Sequence, residues 1–258
     1  MTSGLHKLAP EVAPQPLPAP APADTSATES TGIRKLIKQT VDLLMPGSMV
    51  AWRCKTPRNE LSLTFDDGPH PAYTPEALAI LRRYGAKATF FLVGERAEAH
   101  PRLVQQIAAD GHEIGNHSYH HVRFATLTLG EARNEIRRAE QAIRMTGVPY
   151  SRLFRPPYGK FIHQALLAGW QTRHTVWFWN VDLKDYRAGN AKEICDLMAP
   201  VNFSPGDVVL YHATNAAALA ALPTVIEKMQ SRAGRLVSIG ELAARHKRPS
   251  VANSASAS

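Results

Sequence analysis

The sequence predicts an α/β fold in which parallel strands close into a small or distorted barrel. Three observations predict it. Seven short β-rich runs alternate with helical patterns, and repeated βα units imply a parallel sheet. Seven strands in roughly 200 residues fall short of the eight in about 250 of the regular barrel. Five polar clusters also fall at the C-terminal ends of strand candidates, the rim on which barrel enzymes place their chemistry. A doubly wound open sheet is the alternative.

Along the chain, prolines at 10, 14, 16, 18, 20 and 22 remove backbone donors and favour extended conformers, so residues 1–32 are expected to be disordered. Ile33, Leu36, Ile37, Val41 and Leu44 then share one helical stripe, with Arg34, Lys35 and Lys38 largely elsewhere on the wheel. This predicts an amphipathic helix over 33–47, docked on the domain or lying on an anionic membrane surface. The catalytic domain is expected over 48–247. Its strand candidates are Leu61–Phe65, Lys87–Val93, Glu113–Gly115, Leu153–Arg155, Thr175–Trp179, Val208–Tyr211 and Leu236–Ile239. Helices are predicted at Pro75–Tyr84, Pro101–Asp110, Leu129–Met145, Phe161–Ala168, Ala191–Met198 and Ala216–Gln230. Thr74-Pro75 and a Thr128…Glu131 capping box serve as start signals. Residues 248–258 are small and polar and read as a flexible tail.

Composition narrows the class. A chain of 258 residues with 44% hydrophobic content can bury one sizeable core. The formal charge of +8 is dispersed and interleaved with acids, as in Glu131–Arg144, which reads as a solvated helix face. With no zinc-finger, homeodomain or RNA-binding pattern, no nucleic-acid partner is expected. Cys54 and Cys195 have no companion set; two buried thiols are expected, with one disulfide as the alternative. The N-terminus lacks the apolar core of a secretory signal, and no run of about 20 apolar residues occurs. The expected location is therefore cytoplasmic, with peripheral contact to the inner membrane face through Ile33–Met45 as an option.

The first cluster is LSLTFDDGPHP, an apolar strand running into Asp66 and Asp67 and then a strand-breaking Gly68-Pro69. At such an end the two carboxylates can splay, one binding a cation while the other accepts a proton. The second is HSYHH, where His117 and His121, four apart, can meet on one face of a helical turn. With Asp67 they form a three-ligand set suited to Zn²⁺ and to other divalent transition metals. His120 falls outside that spacing and reads as supporting or exposed. In LFRPPYG, Arg155 can hold a carboxylate ionised, and the proline pair can aim the Tyr158 backbone N–H into the site as an oxyanion donor. WNVDLKDY offers Asp182 and Asp185, and VVLYH delivers His212 as a proton donor to a leaving amine.

These motifs, TFDDGP, H-S-x-x-H, R-P-P-Y, D-x-x-D-Y and L-x-H, resemble in kind, order and spacing those of the polysaccharide deacetylase (NodB-homology) family, the family 4 carbohydrate esterases, over roughly Arg58 to Leu242. The resemblance implies a distorted (β/α)7 barrel. It implies Asp66 as general base, Asp67, His117 and His121 as metal ligands, Arg155 as the residue orienting Asp66, and His212 as general acid. Tyr158 would give the oxyanion N–H, and Asp182 or Asp185 would support the Arg155 and His212 network. The implied cofactor is a divalent metal, Zn²⁺ first, with Co²⁺, Ni²⁺ or Mn²⁺ as alternatives. The implied reaction is N-deacetylation of an N-acetylated amino sugar in an oligosaccharide, polysaccharide or lipid-linked glycan. A deformylase or amidohydrolase of a non-sugar amide, and a catalytically silent glycan-binding module, are the other readings. Tyr186 stands where the family often has Trp, and Ala213 follows His212 where many members have Asp-Gly. Both departures bear on the groove rather than on the chemistry.

Overall fold

The computed structural model describes residues 49–159 and 162–244. The expected disordered segment 1–32, the amphipathic helix of 33–47 and the tail 248–258 lie outside the described residues.

The strands are β1 (Val50–Ala51), β2 (Glu60–Gly68), β3 (Ala88–Leu92), β4 (Glu113–Asn116), β5 (Leu153–Phe154), β6 (Thr175–Trp177), β7 (Val181–Asp182), β8 (Val208–Tyr211) and β9 (Arg235–Leu236). They pair in parallel in the order β1-β6-β5-β4-β3-β2-β8-β7, and β9 joins the start of β2. Helices run at α1 (Tyr73–Arg83), α2 (Gly94–Ala99), α3 (Pro101–Ala109), α4 (Leu129–Met145), α5 (His163–Gln171), α6 (Ala191–Met198), α7 (Ala216–Ala233) and α8 (Ile239–Ala244).

The sheet curls until its two ends meet, giving the distorted (β/α)7 barrel. β6 lies next to one edge and β7 is the other edge, yet only Phe178–Asn180 separate them in sequence. The four Cα–Cα steps from Trp177 to Val181 span at most about 14 Å, so the edges must be neighbours. The seam is stitched on both sides: Phe178 N–H donates to the Ala51 carbonyl at 2.8 Å and Asn180 N–H to the Val208 carbonyl at 3.2 Å. The Asn180 side-chain oxygen accepts Val208 N–H at 2.8 Å.

Strand alternation sets the two layers. Leu61, Leu63 and Phe65 of β2 pack with Leu78, Leu81, Val225 and Ile226 of the helices outside the sheet. Glu60, Ser62, Thr64 and Asp66 take the opposite, inner face and are buried there. On β3, Phe90 and Leu92 face the helices while Phe91 joins Trp177, Val208 and Ile239 inside. Each fully buried Leu or Phe contributes about 1.5–3 kcal/mol.

Several boundaries differ from the expectation. Thr175–Trp179 stops as a strand at Trp177, and Leu236–Ile239 shrinks to Arg235–Leu236 because Ile239 opens α8. β1, β7, α2 and α8 were not anticipated. The strands are two residues long and the helices six, too short to show a period. The Thr128…Glu131 capping box is present. Thr74 does not cap α1; its buried hydroxyl accepts His70 N–H at 2.8 Å, while His70 Nδ1 accepts the N–H groups of Ala72 and Tyr73. Cys54 is buried, Cys195 is half-buried, and both are free thiols. Among the described residues no helix is long and apolar enough to cross a membrane.

Candidate active site

β2 pairs Phe65 with Phe90 and then Gly68 with Leu92, so one extra residue bulges out at Asp66-Asp67. A bulge re-aims side chains. Asp66 keeps the inward direction of its strand, whereas Asp67 turns through a left-handed backbone (φ 67°) toward the rim. The Arg96 side chain holds this turn by donating to the Asp67 carbonyl.

Asp66 Oδ1 meets Arg155 Nη1 at 2.7 Å. Arg155 is fully buried, which would be costly for an unsatisfied charge. Its other donors go to Thr64 Oγ1 at 2.7 Å, the Phe178 carbonyl at 3.0 Å and the Trp177 carbonyl at 3.2 Å. Burial lowers the guanidinium pKa and the Asp66 carboxylate opposes that shift. The carboxylate is thereby fixed in one orientation.

Asp67, His117 and His121 converge, with one donor atom from each lying within 4.8 Å of the others. Asp67 Oδ1 is 3.3 Å from His117 Nε2 and 3.0 Å from His121 Nε2. These separations are close to the ~3.3 Å edge of a tetrahedron with ligands at 2.0–2.1 Å. His117 Nδ1 lies 2.7 Å from the Arg155 carbonyl, which can only accept, so this nitrogen carries a proton and, in the neutral ring, Nε2 presents a lone pair. A lone pair facing a carboxylate oxygen calls for a cation between them. Asp67 Oδ1 is enclosed and has no correctly oriented hydrogen-bond donor, as such a site requires. Burial pushes the Asp67 pKa up, but the two imidazoles and His212 outweigh it and hold the carboxyl well below the usual range. The donor set fits a divalent metal. It is not built on a helical turn as the spacing suggested: residues 117–121 form a loop with left-handed Ser118 (φ 65°) and His121 (φ 55°).

His212 lies at the end of β8, and Asp185 grips it twice, accepting His212 N–H at 2.9 Å and lying 3.0 Å from Nδ1. Burial lowers the His212 pKa, but Asp185, with Asp67 and Asp66 behind it, drives it up to about 10. Asp185 is fully buried. Asp182 instead accepts Lys184 N–H at 2.9 Å, and burial raises its pKa. Of the two acids only Asp185 contacts His212, and neither reaches Arg155 among the described residues.

Tyr158 adopts a left-handed backbone (φ 63°), its ring centroid 4.9 Å from that of His121, and the Arg123 guanidinium covers the ring at 4.6 Å. Gly159 follows at φ 59°, and a Cβ there would sit 2.1 Å from Trp179, so only glycine fits. His120 is no part of the donor set; its Nδ1 pairs with Glu135 at 2.7 Å. Glu135 was missed because Glu131–Arg144 read as a solvated face. The available signal was its place on the buried stripe of Ala132, Ile136, Ala139 and Ile143. A small cleft runs from Asp66 and His212 onto Phe65, Phe90, Ala77 and Ala213.

The family model for polysaccharide deacetylase matches residues 53–177. Two peptidoglycan-N-acetylglucosamine deacetylases of Bacillus cereus are each 35% identical to this chain. One aligns over 184 residues, covering 70% of this chain and 66% of its own length; the other aligns over 209 residues, covering 77% and 95%. A chitooligosaccharide deacetylase of Azorhizobium caulinodans is 33% identical over 156 residues, covering 60% of this chain and 74% of its own. A crystal structure of a peptidoglycan N-acetylglucosamine deacetylase in complex with an N-oxidanyl-benzamide superposes with a TM-score of 0.68 at 33% identity, over 75% of this chain and 92% of that one. With this fold, these motifs and these relatives, the chain belongs to the polysaccharide deacetylase family.

Proposed function

We propose that the protein is a metal-dependent N-deacetylase that converts an N-acetylated amino sugar to the amine and acetate. The observation that carries this reading is the placement of two differently supported proton-transfer groups, Asp66 on Arg155 and His212 on Asp185, beside one three-donor set. Asp67, His117 and His121 would hold a divalent cation, with Zn²⁺ preferred over Co²⁺, Ni²⁺ or Mn²⁺, which would supply Lewis acidity to the hydrolysis. Asp66, oriented by Arg155, takes the proton of the attacking water. His212, held protonated by Asp185, gives a proton to the departing nitrogen. The Tyr158 N–H serves as a donor to the tetrahedral oxyanion. Asp182 stands outside these steps and shapes the turn that presents Asp185. The apolar side of the cleft suits a short acyl group.

The names of the relatives favour a glycan of the peptidoglycan or chitooligosaccharide kind. The test is acetate release from peptidoglycan fragments, chitooligosaccharides, lipid-linked amino sugars, acetylated xylan and non-sugar amides, before and after chelation. Release from an N-acetylated glycan that stops on chelation and returns with Zn²⁺ is the expected result. Turnover of non-sugar amides or formamides alone would overturn the substrate class. Full activity in protein shown metal-free by elemental analysis would overturn the metal, and glycan binding without turnover would overturn the enzyme reading.

A further inference from the structure

The metal reading leaves open what holds the loop that carries both imidazoles. Between His117 and His121 there are four backbone amides, at Ser118, Tyr119, His120 and His121. Ser118 N–H donates to Asn116 Oδ1 at 2.9 Å and His121 N–H to Ser118 Oγ at 3.0 Å, both acceptors belonging to the same stretch of chain. The other two, Tyr119 N–H and His120 N–H, converge on Glu135 Oε2 at 3.1 and 2.9 Å. The second oxygen, Oε1, lies 2.7 Å from His120 Nδ1. Glu135 therefore grips His120 by amide and ring together, as Asp185 grips His212. It is buried although it is a carboxylate, and it comes from α4, on the outside of the barrel. The next residue of α4 binds the same stretch, since the Ile136 carbonyl accepts Asn116 Nδ2 at 2.8 Å.

We infer that Glu135 is a positioning residue for the metal centre: its carboxylate ties the loop amides to α4 and so sets the spacing of His117 and His121. The inference rests on the metal site proposed above. Two left-handed residues in a five-residue loop persist only where the surroundings over-determine them. The His117 N–H donates to the Leu92 carbonyl at 2.9 Å, and for the four amides after it Glu135 is the one anchor from outside the stretch among the described residues. The loop carbonyls of Ser118 and Tyr119, taken by Gly94 N–H and Glu95 N–H at 2.9 and 3.1 Å, fix the opposite side. Losing Glu135 frees one side of the loop while leaving all three ligands in the chain.

The experiment titrates metal-free full-length protein with Zn²⁺ and with Co²⁺, whose visible spectrum reports ligand geometry, and follows melting in the same samples. Glu135→Ala should weaken metal binding by ~10–100-fold, the usual effect of losing an outer partner of a ligand set, and alter the Co²⁺ spectrum. Glu135→Gln keeps an acceptor oxygen for the two amides and should restore most of the affinity. His120→Ala keeps both amide bonds and should bind metal like the wild type. If Glu135→Ala does not fold, Glu135→Asp, whose shorter arm cannot reach both amides, gives the same reading. A folded Glu135→Ala protein with wild-type affinity and spectrum overturns this inference alone, as does a His120→Ala protein that loses as much affinity. A wild-type protein that binds neither ion overturns the metal site, and this inference with it.

Discussion

Asp66 and Asp67 are adjacent, identical in chemistry and opposite in circumstance. One is sealed against a guanidinium; the other shares an oxygen between two imidazoles. Asp66→Asn should keep the metal and slow turnover by ~10²–10⁴-fold, the usual contribution of a general base. Asp67→Asn should release the metal instead. Metal content by elemental analysis, read beside turnover, checks both, and metal loss in the first variant would exchange the two roles. His212 is governed by the same kind of contrast. Its pKa, raised to about 10 against burial, keeps it protonated as pH rises until that value is approached, so the acid proposed for it would be available across neutral pH. In Asp185→Asn burial is opposed less, the pKa falls, and the alkaline limb of the kcat/KM profile should move down by more than about one pH unit. An unmoved limb would remove His212 from the acid role. The two carboxylates of LKDY and its approach, Asp182 and Asp185, could not be told apart in the sequence. Their difference is one of burial, created by the turn at Asp185–Arg187 rather than by residue type.

Among the elements, those that were legible had room for a pattern. α4 shows its apolar stripe over seventeen residues and its start in a capping box, and it was predicted to the residue. Thr128→Ala should cost about 1 kcal/mol, read as a shift in the denaturant midpoint with an unchanged slope; no loss would show that the cap is redundant. β2 and β3 were legible as β-rich, largely apolar runs. β1 and β7 were not, because two residues carry no period and their pairing is decided by where the sheet closes. The 117–121 loop was misread as a helical turn for a different reason. An i,i+4 histidine pair fits a helix, and nothing in the letters reveals that Ser118 and His121 take left-handed backbones. The tie to Glu135 that fixes those backbones crosses fifteen residues or more, beyond the reach of local patterns.

At the scale of the whole molecule, strand ends bring the candidate residues to one rim, an arrangement foreshadowed by the clustering of polar residues after apolar runs. The seam was not, since it depends on which edges meet. Arg155 joins the two levels: Asp66 takes one of its donors, while the Trp177 and Phe178 carbonyls it also binds belong to the segment that leads across the seam. Arg155→Ala should therefore cost about 3–5 kcal/mol, the range for stranding one member of a buried ion pair, while Asp66→Asn, which removes the counter-charge but keeps an acceptor oxygen and leaves the guanidinium its other acceptors, should cost less. Equal losses in the two variants would contradict this division. The consequence reaches into descent. Under the proposed roles, a lineage that changed the single carboxylate would abandon turnover and still hand on a barrel with its groove, free to be recruited for another task, whereas a change at the arginine beside it would put the scaffold at risk along with the activity.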